Sequence, residues 1–217
     1  MKYLVILLLG LPIMLNAQAP DKYLFAGANA NSYKGDMGDF NQWNGGFQAG
    51  IQFNKKKKLN GALQLTFGAV SDQQKVQESA QISQDPSPNS YFKSNFFAIN
   101  YEVHYNIIKT SKWLVYISQG VGFIRYTPKD EFGKKLEDQP TTRAEQENFR
   151  SSSFMLPSSV GAAYFLANEV GIGIQTTFYN PLTDYLDNIS ELGNSDNDNI
   201  LNLKLSLYFP IAFANEY

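Results

Sequence analysis

The stretch Phe97-Ala98-Ile99-Asn100-Tyr101-Glu102-Val103-His104-Tyr105-Asn106-Ile107 decides the fold. Its odd positions are all apolar or aromatic, and its even positions carry Ala, Asn, Glu and His. An extended chain sends successive side chains to opposite faces, so a period of two means a strand with one apolar and one polar face. The same rhythm spreads outward from this segment. Phe47, Ala49, Ile51 and Phe53 keep it, as do Leu63, Leu65 and Phe67, and Leu201, Leu203, Leu205, Leu207 and Phe209. It is weaker but present in Val115, Ile117, Val121 and Phe123, in Val160, Ala162, Tyr164 and Leu166, and in Val170, Ile172 and Ile174. From Tyr23 to Ser32 the composition favours a strand without setting its phase. Eight strands are therefore predicted, near 22–32, 45–54, 59–70, 92–108, 113–127, 151–166, 170–180 and 200–210.

The connections alternate in length. Lys55 to Lys58, Lys109 to Lys112 and Ala167 to Glu169 are short. Tyr33 to Asn44, Ser71 to Tyr91, Pro128 to Arg150 and Pro181 to Asn199 are long and polar. Nothing in a β-sandwich forces that order, whereas outer-membrane barrels combine short turns at one end with long loops at the other. An even strand count and strands of about ten residues agree with it.

Composition assigns the faces. The face opposite the Leu, Ile, Val, Phe and Tyr positions holds Asn, Gln, Ser, Thr and Gly, with Glu102, His104 and Lys204 as exceptions. A water-facing strand surface would be rich in Lys and Glu. Charged residues are 18% of the 217-residue chain, against about 25% in ordinary soluble domains. Small and amide side chains suit the narrow interior of an eight-stranded barrel. The apolar face is therefore assigned to lipid. The fold expected is all-β, an eight-stranded antiparallel up-and-down transmembrane β-barrel. A soluble sandwich or lipocalin-like barrel, with the faces exchanged, stays open because pattern alone does not set inside and outside. Aromatics near strand ends, Tyr91, Phe92, Phe96 and Phe97 at one rim and Tyr105 and Trp113 at the other, suit interfacial girdles.

The N-terminus reads as an export signal. Lys2 precedes an apolar run from Tyr3 to Leu15, too short to span a bilayer, and Ala17 precedes the favoured cut. Residues 1–17 are thus expected to be a cleaved signal peptide and 18–217 the barrel domain, located in the outer membrane. The chain has no Cys and one His, which excludes disulfides, thiolate metal sites, a Cys nucleophile and multi-His metal centres. Its net charge of −2 gives no footprint for nucleic acid.

Candidate chemistry is sparse. His104 would have to serve any catalytic triad, but it falls on the lumenal face beside Glu102, with Val103 and Tyr105 on the lipid face. The expected role is a lumenal His bonded to its neighbours. Asp184, Asp187, Glu191, Asp196 and Asp198 make an acidic fourth long loop without the Gly and closing Glu of a calcium loop. Glu102 and Lys204 interrupt otherwise uncharged lumenal faces and are expected to pair. No catalytic, cofactor or metal site is expected.

Some motifs carry a resemblance. Tyr33-Lys34-Gly35-Asp36-Met37 is similar to a Tyr-x-Gly-Asp-Leu motif, and Thr183-Asp184-Tyr185-Leu186-Asp187-Asn188-Ile189-Ser190 to Thr-Asp-Tyr-Leu-Asp-Asp-Val-Ser. Pro157, Gly161 and Tyr164 match a sixth-strand pattern in part. The chain thereby resembles the small outer-membrane β-barrel proteins of Bacteroidetes, a family whose function is largely unassigned. The resemblance implies an outer-membrane barrel and no reaction, with Tyr33, Gly35, Asp36, Thr183, Asp184, Tyr185, Leu186 and Asp187 as structural motif positions. The function expected is non-enzymatic: a structural or partner-binding barrel acting through long extracellular loops, in contact with outer-membrane lipid and with envelope proteins as partners. An accessory barrel of protein export or envelope assembly, similar to those of type IX secretion, is the alternative. A lipid-modifying enzyme is a further one.

Overall fold

Strands form where the alternation predicts them: β1 (Lys22–Gly35), β2 (Gly38–Phe53), β3 (Leu59–Gln73), β4 (Tyr91–Lys109), β5 (Trp113–Lys129), β6 (Ser152–Phe165), β7 (Gly171–Pro181) and β8 (Asn199–Ile211). The computed structural model describes residues 22–53, 55, 57–73, 89–139, 143–190 and 197–211. The expected leader, and Glu191 and Asp196 of the acidic loop, lie outside the described residues. Each strand pairs antiparallel with its sequence neighbour, and β8 pairs with β1 from Lys22↔Ile211 to Lys34↔Asn199. The barrel is closed, so every strand has two partners and no edge is left to aggregate.

The register fixes inside and outside. Leu63, Ile99, Val103, Val121, Ile174 and Leu205 are exposed on the outer wall, while Gln64, Asn100, Glu102, His104, Asn202 and Lys204 are buried in the lumen. A soluble barrel would have the reverse arrangement, and the alternative of exchanged faces is excluded. Leaving this apolar wall in water would forfeit about 25 cal/mol for each Å²; lipid removes that cost. In β1 the inward phase is odd, with Tyr23, Phe25, Asn29 and Asn31 buried. A register shift between Ser32 and Lys34 then lets Ser32 and Tyr33 both turn in.

Two expectations need correction. The first connection is not a long loop from Tyr33 to Asn44. Ladder pairs Lys34↔Asp39 and Gly35↔Gly38 carry β1 and β2 on to a tight turn at Asp36 and Met37. Its polar residues read as a loop, yet above the apolar band both strand faces are free to be polar. Nor do Phe92 and Phe96 belong to an outer girdle. They are buried at one end of the lumen with Tyr33, Tyr126, Tyr179 and Leu186. Phe97 does face out, its ring tilted against Phe67, which stacks on Phe47.

The interior is layered. An aromatic cluster closes the end that carries the odd-numbered connections, and a second one, with Tyr23, Tyr116, Phe165 and Tyr208, closes the short-turn end. A polar layer lies between them. Small residues alone do not fill this lumen, because rings fit where facing strands carry glycine. A Cβ on Gly161 would collide with the Tyr116 ring, and one on Gly173 with Tyr208.

Candidate functional site

Three arrangements could carry function: the polar layer and the seal at each mouth. In the polar layer Glu102 Oε1 accepts hydrogen bonds from Asn100 Nδ2 at 2.9 Å and Gln64 Nε2 at 3.1 Å, and Oε2 accepts from Ser159 Oγ at 2.8 Å and from Ser118 Oγ. Lys204 Nζ donates to Gln64 Oε1 at 2.8 Å and sits 5.1 Å from the centre of the Tyr179 ring. The expected direct pair of Glu102 and Lys204 is therefore absent. The Gln64 amide lies between the two charges, accepting from one and donating to the other. With Gln175 Nε2 at 3.4 Å from Oε2 as a fifth donor, this buried carboxylate is well compensated.

His104 also departs from expectation. It faces the lumen as predicted, but it stacks flat on Tyr116 at 4.3 Å. Neither ring nitrogen has a hydrogen-bond partner, and Nε2 stands 3.9 Å from Glu102 Oε2. Ser118, its cross-strand neighbour, donates to Glu102 instead. Among the described residues there is no relay from Ser to His. Among the described residues no three His, Asp or Glu side chains are placed to hold a metal ion.

The connection after β7 folds back over the odd-connection mouth. Leu186, Asp187, Asn188 and Ile189 are all buried. Asn188 takes a φ of 71°, in the left-handed region that Asn tolerates well. The Tyr33 hydroxyl lies 2.9 Å from Asp187 Oδ2 and 2.7 Å from Asp198 Oδ1. The remaining carboxyl oxygens accept backbone N–H bonds, Asp187 Oδ1 from Ile189 at 2.9 Å and Asp198 Oδ2 from Leu186 at 2.8 Å. A phenol has one proton, so the second of its two carboxyl contacts requires a proton on an Asp. Burial pushes both carboxyls well above the usual range; Asp187 adds to the rise at Asp198, and Asp36 and Asp184 to that at Asp187. Thr183 Oγ1 lies 2.9 Å from the Tyr126 hydroxyl, and Tyr185 packs edge-on against Phe149. A Cβ on Gly35 would fall on the Tyr33 hydroxyl and the Asp198 carboxyl, so glycine is required there. The structure thus joins Tyr33, Gly35, Thr183, Leu186 and Asp187 in one seal, with Asp36 in the adjoining turn.

Sequence reasoning missed the other seal. Lys55, the first residue of the short connection Lys55 to Lys58, is buried in the short-turn mouth. Its Nζ lies 3.2 Å from the centre of the Phe165 ring, donates to the Tyr23 hydroxyl at 3.1 Å and stands 3.7 Å from Glu169 Oε2. Burial lowers its pKa, and Glu169 offsets part of that shift. Glu169 in turn accepts from Tyr23 Oη at 2.7 Å. Only the inward phase of Tyr23 and Phe165 could have signalled it.

A family model described as outer membrane protein beta-barrel domain matches residues 3–209. The chain belongs to that family. Its place is therefore the outer membrane. No curated protein sequence matches it. Among solved structures, the barrel is similar to Ail of Yersinia pestis in complex with the heparin analogue sucrose octasulfate. Identity is 11%, coverage 89% of this chain and 100% of that one, and the TM-score 0.52. Neisserial surface protein A matches at 14% identity over 88% and 97% of the two chains, with a TM-score of 0.53. The outer membrane enzyme PagL matches at 14% identity over 86% and 99%, with a TM-score of 0.40. At these identities the likeness to Ail and to Neisserial surface protein A shows the fold alone.

Proposed function

We propose that this outer-membrane barrel is a closed, non-enzymatic scaffold that binds partners in the envelope or at the cell surface through its odd-numbered connections. The observation that carries the reading is the double seal. Tyr33, Asp187 and Asp198 join strand to loop at one mouth, and Lys55, Phe165 and Glu169 block the other. Between them the lumen is filled by the hydrogen-bonded layer around Glu102. Among the described residues both mouths are packed with buried side chains. What the barrel does offer is connection surface, including Phe132, 77% exposed in the β5–β6 connection. The Asp130 carboxylate orders that tip by accepting the Phe132 and Lys134 amides at 3.0 and 2.8 Å. The inward His104, with no Ser in contact with it among the described residues, weighs against lipid hydrolysis. The motif resemblance favours a Bacteroidetes barrel, and an accessory role in protein export is the form in which a specific partner would be an envelope machine.

The test is a photo-crosslinking amino acid placed at Phe132 and, separately, at Lys57, in intact cells. Discrete adducts from Phe132 are expected. No adduct at Phe132, together with steady single-channel current in a planar bilayer, overturns the scaffold reading. So does fatty-acid release from outer-membrane lipid that depends on His104.

A further inference from the structure

Three lysines lie abreast on the outer wall. Lys93 on β4 is directly opposite Lys129 on β5, and Lys129 is bridged in turn to Lys135. Directly opposed residues share a face, and like charges there repel. Arg125 is exposed on the same face of β5, four residues before Lys129. Asn95 and Thr127, the opposed outward pair between Lys93 and Arg125, are polar and uncharged. Little offsets this charge from within. Among the described residues the one ion pair in the row joins Lys135 to Glu137 at 4.0 Å, both half-exposed. The adjacent acid, Asp130, keeps its charge but directs its carboxylate to the Phe132 and Lys134 amides and to Gln139 Nε2, and it makes no ion pair with the row among the described residues.

The row's height on the barrel says what could neutralise it. Arg125 pairs across the ladder with Phe97, which continues the stacked outer aromatics Phe47 and Phe67. Phe123, two residues below Arg125, meets Phe154 edge-on. The basic patch therefore begins where the apolar band ends, at the level of lipid headgroups. A ligand that fits has acyl chains for the aromatic band and more than one anionic group for the arc from Arg125 to Lys135.

We propose that this face of β4 and β5 is a docking site for a phosphorylated lipid headgroup of the membrane leaflet at the odd-connection end. Phosphate oxygens accept charge-assisted hydrogen bonds from Lys93, Lys129, Lys135 and Arg125, and the acyl chains lie along Phe97, Phe123 and Phe154. The choice of leaflet rests on the orientation proposed for the barrel; binding in detergent does not, so the two fail separately.

The experiment uses the full barrel, delipidated in detergent, titrated with bisphosphorylated lipid A and followed by native mass spectrometry. The triple variant Lys93→Gln, Lys129→Gln, Lys135→Gln should bind about tenfold more weakly or worse, the scale of losing one good charge-assisted contact. Dephosphorylated lipid A should bind the wild type as weakly as phosphorylated lipid binds the variant. Lys57→Gln with Lys58→Gln, at the opposite end, should bind like wild type. Retention of compact mobility in cold SDS shows that each variant is folded. Equal binding by wild type and triple variant overturns the site, as does equal binding of dephosphorylated lipid. Inorganic phosphate or sucrose octasulfate binding as tightly as the lipid overturns the lipid assignment in favour of a soluble polyanion.

Discussion

Tyr33 brings one proton to two buried carboxyls, and that count makes the seal sensitive to pH. Asp187 and Asp198 have folded pKa values raised first by burial; the charge of Asp187 adds to the rise at Asp198, and Asp36 and Asp184 add to that at Asp187. A carboxyl with a raised folded value stabilises the closed state fully below its unfolded pKa of about 4. That contribution is lost as pH climbs through the raised value. The seal should therefore be tightest in acid and loosen toward alkaline pH. The reporters are the Leu186 and Ile189 amides, which donate to these two carboxyls. Their hydrogen-exchange protection factors should fall with rising pH in wild type. Asp198→Asn, which removes one titrating group but keeps the shape, should flatten that fall. A wild-type profile already flat would refute the shared proton. None of this was legible in the sequence, where the acids of this connection show only as an acidic long loop without calcium-loop spacing. Contact with Tyr33, far away along the chain, joins Asp187 and Asp198.

Strands were the most legible level, because lipid on one side and a narrow lumen on the other enforce a strict period of two. Seven strands show their phase in sequence. β1 does not, since Ala26, Ala28 and Ala30 face out as small residues while Tyr23 and Phe25 face in. The hairpin of β1 and β2 beyond the membrane was hidden for a related reason: with water on its outer face no alternation is imposed. On β3 the two faces predict different failures. Leu65 points to lipid in mid-strand, so Leu65→Arg should cost about 2–4 kcal/mol, while Leu65→Phe should be tolerated. Gln64→Leu acts through the lumen, leaving Glu102 and Lys204 with an apolar side chain between them. Loss of its two hydrogen bonds, both to charged partners, should cost about 3 kcal/mol or more. Urea unfolding in lipid vesicles measures both. If Leu65→Arg folds as stably as wild type while Leu65→Phe does not, Leu65 is not in lipid.

For the whole molecule, even strand number ties the start of β1 and the end of β8 to one side of the membrane. β1 starts and β8 ends at the mouth closed by Lys55, beside the short turns. Barrels of this kind assemble from the periplasm with short turns left there and longer loops outside. The expected orientation thus puts the connection containing Asp138 outside the cell and the turn containing Lys57 in the periplasm. Both residues are exposed in the fold, so either can report by chemistry at its side chain. The chain has no Cys, so a single introduced thiol is the sole target. Asp138→Cys should react with a membrane-impermeant maleimide on intact cells, and Lys57→Cys only after the outer membrane is opened. Labelling of Lys57→Cys alone on intact cells reverses the barrel. That result would also move the lysine row to the periplasmic leaflet, where its partner would be a phospholipid rather than a phosphorylated glycolipid.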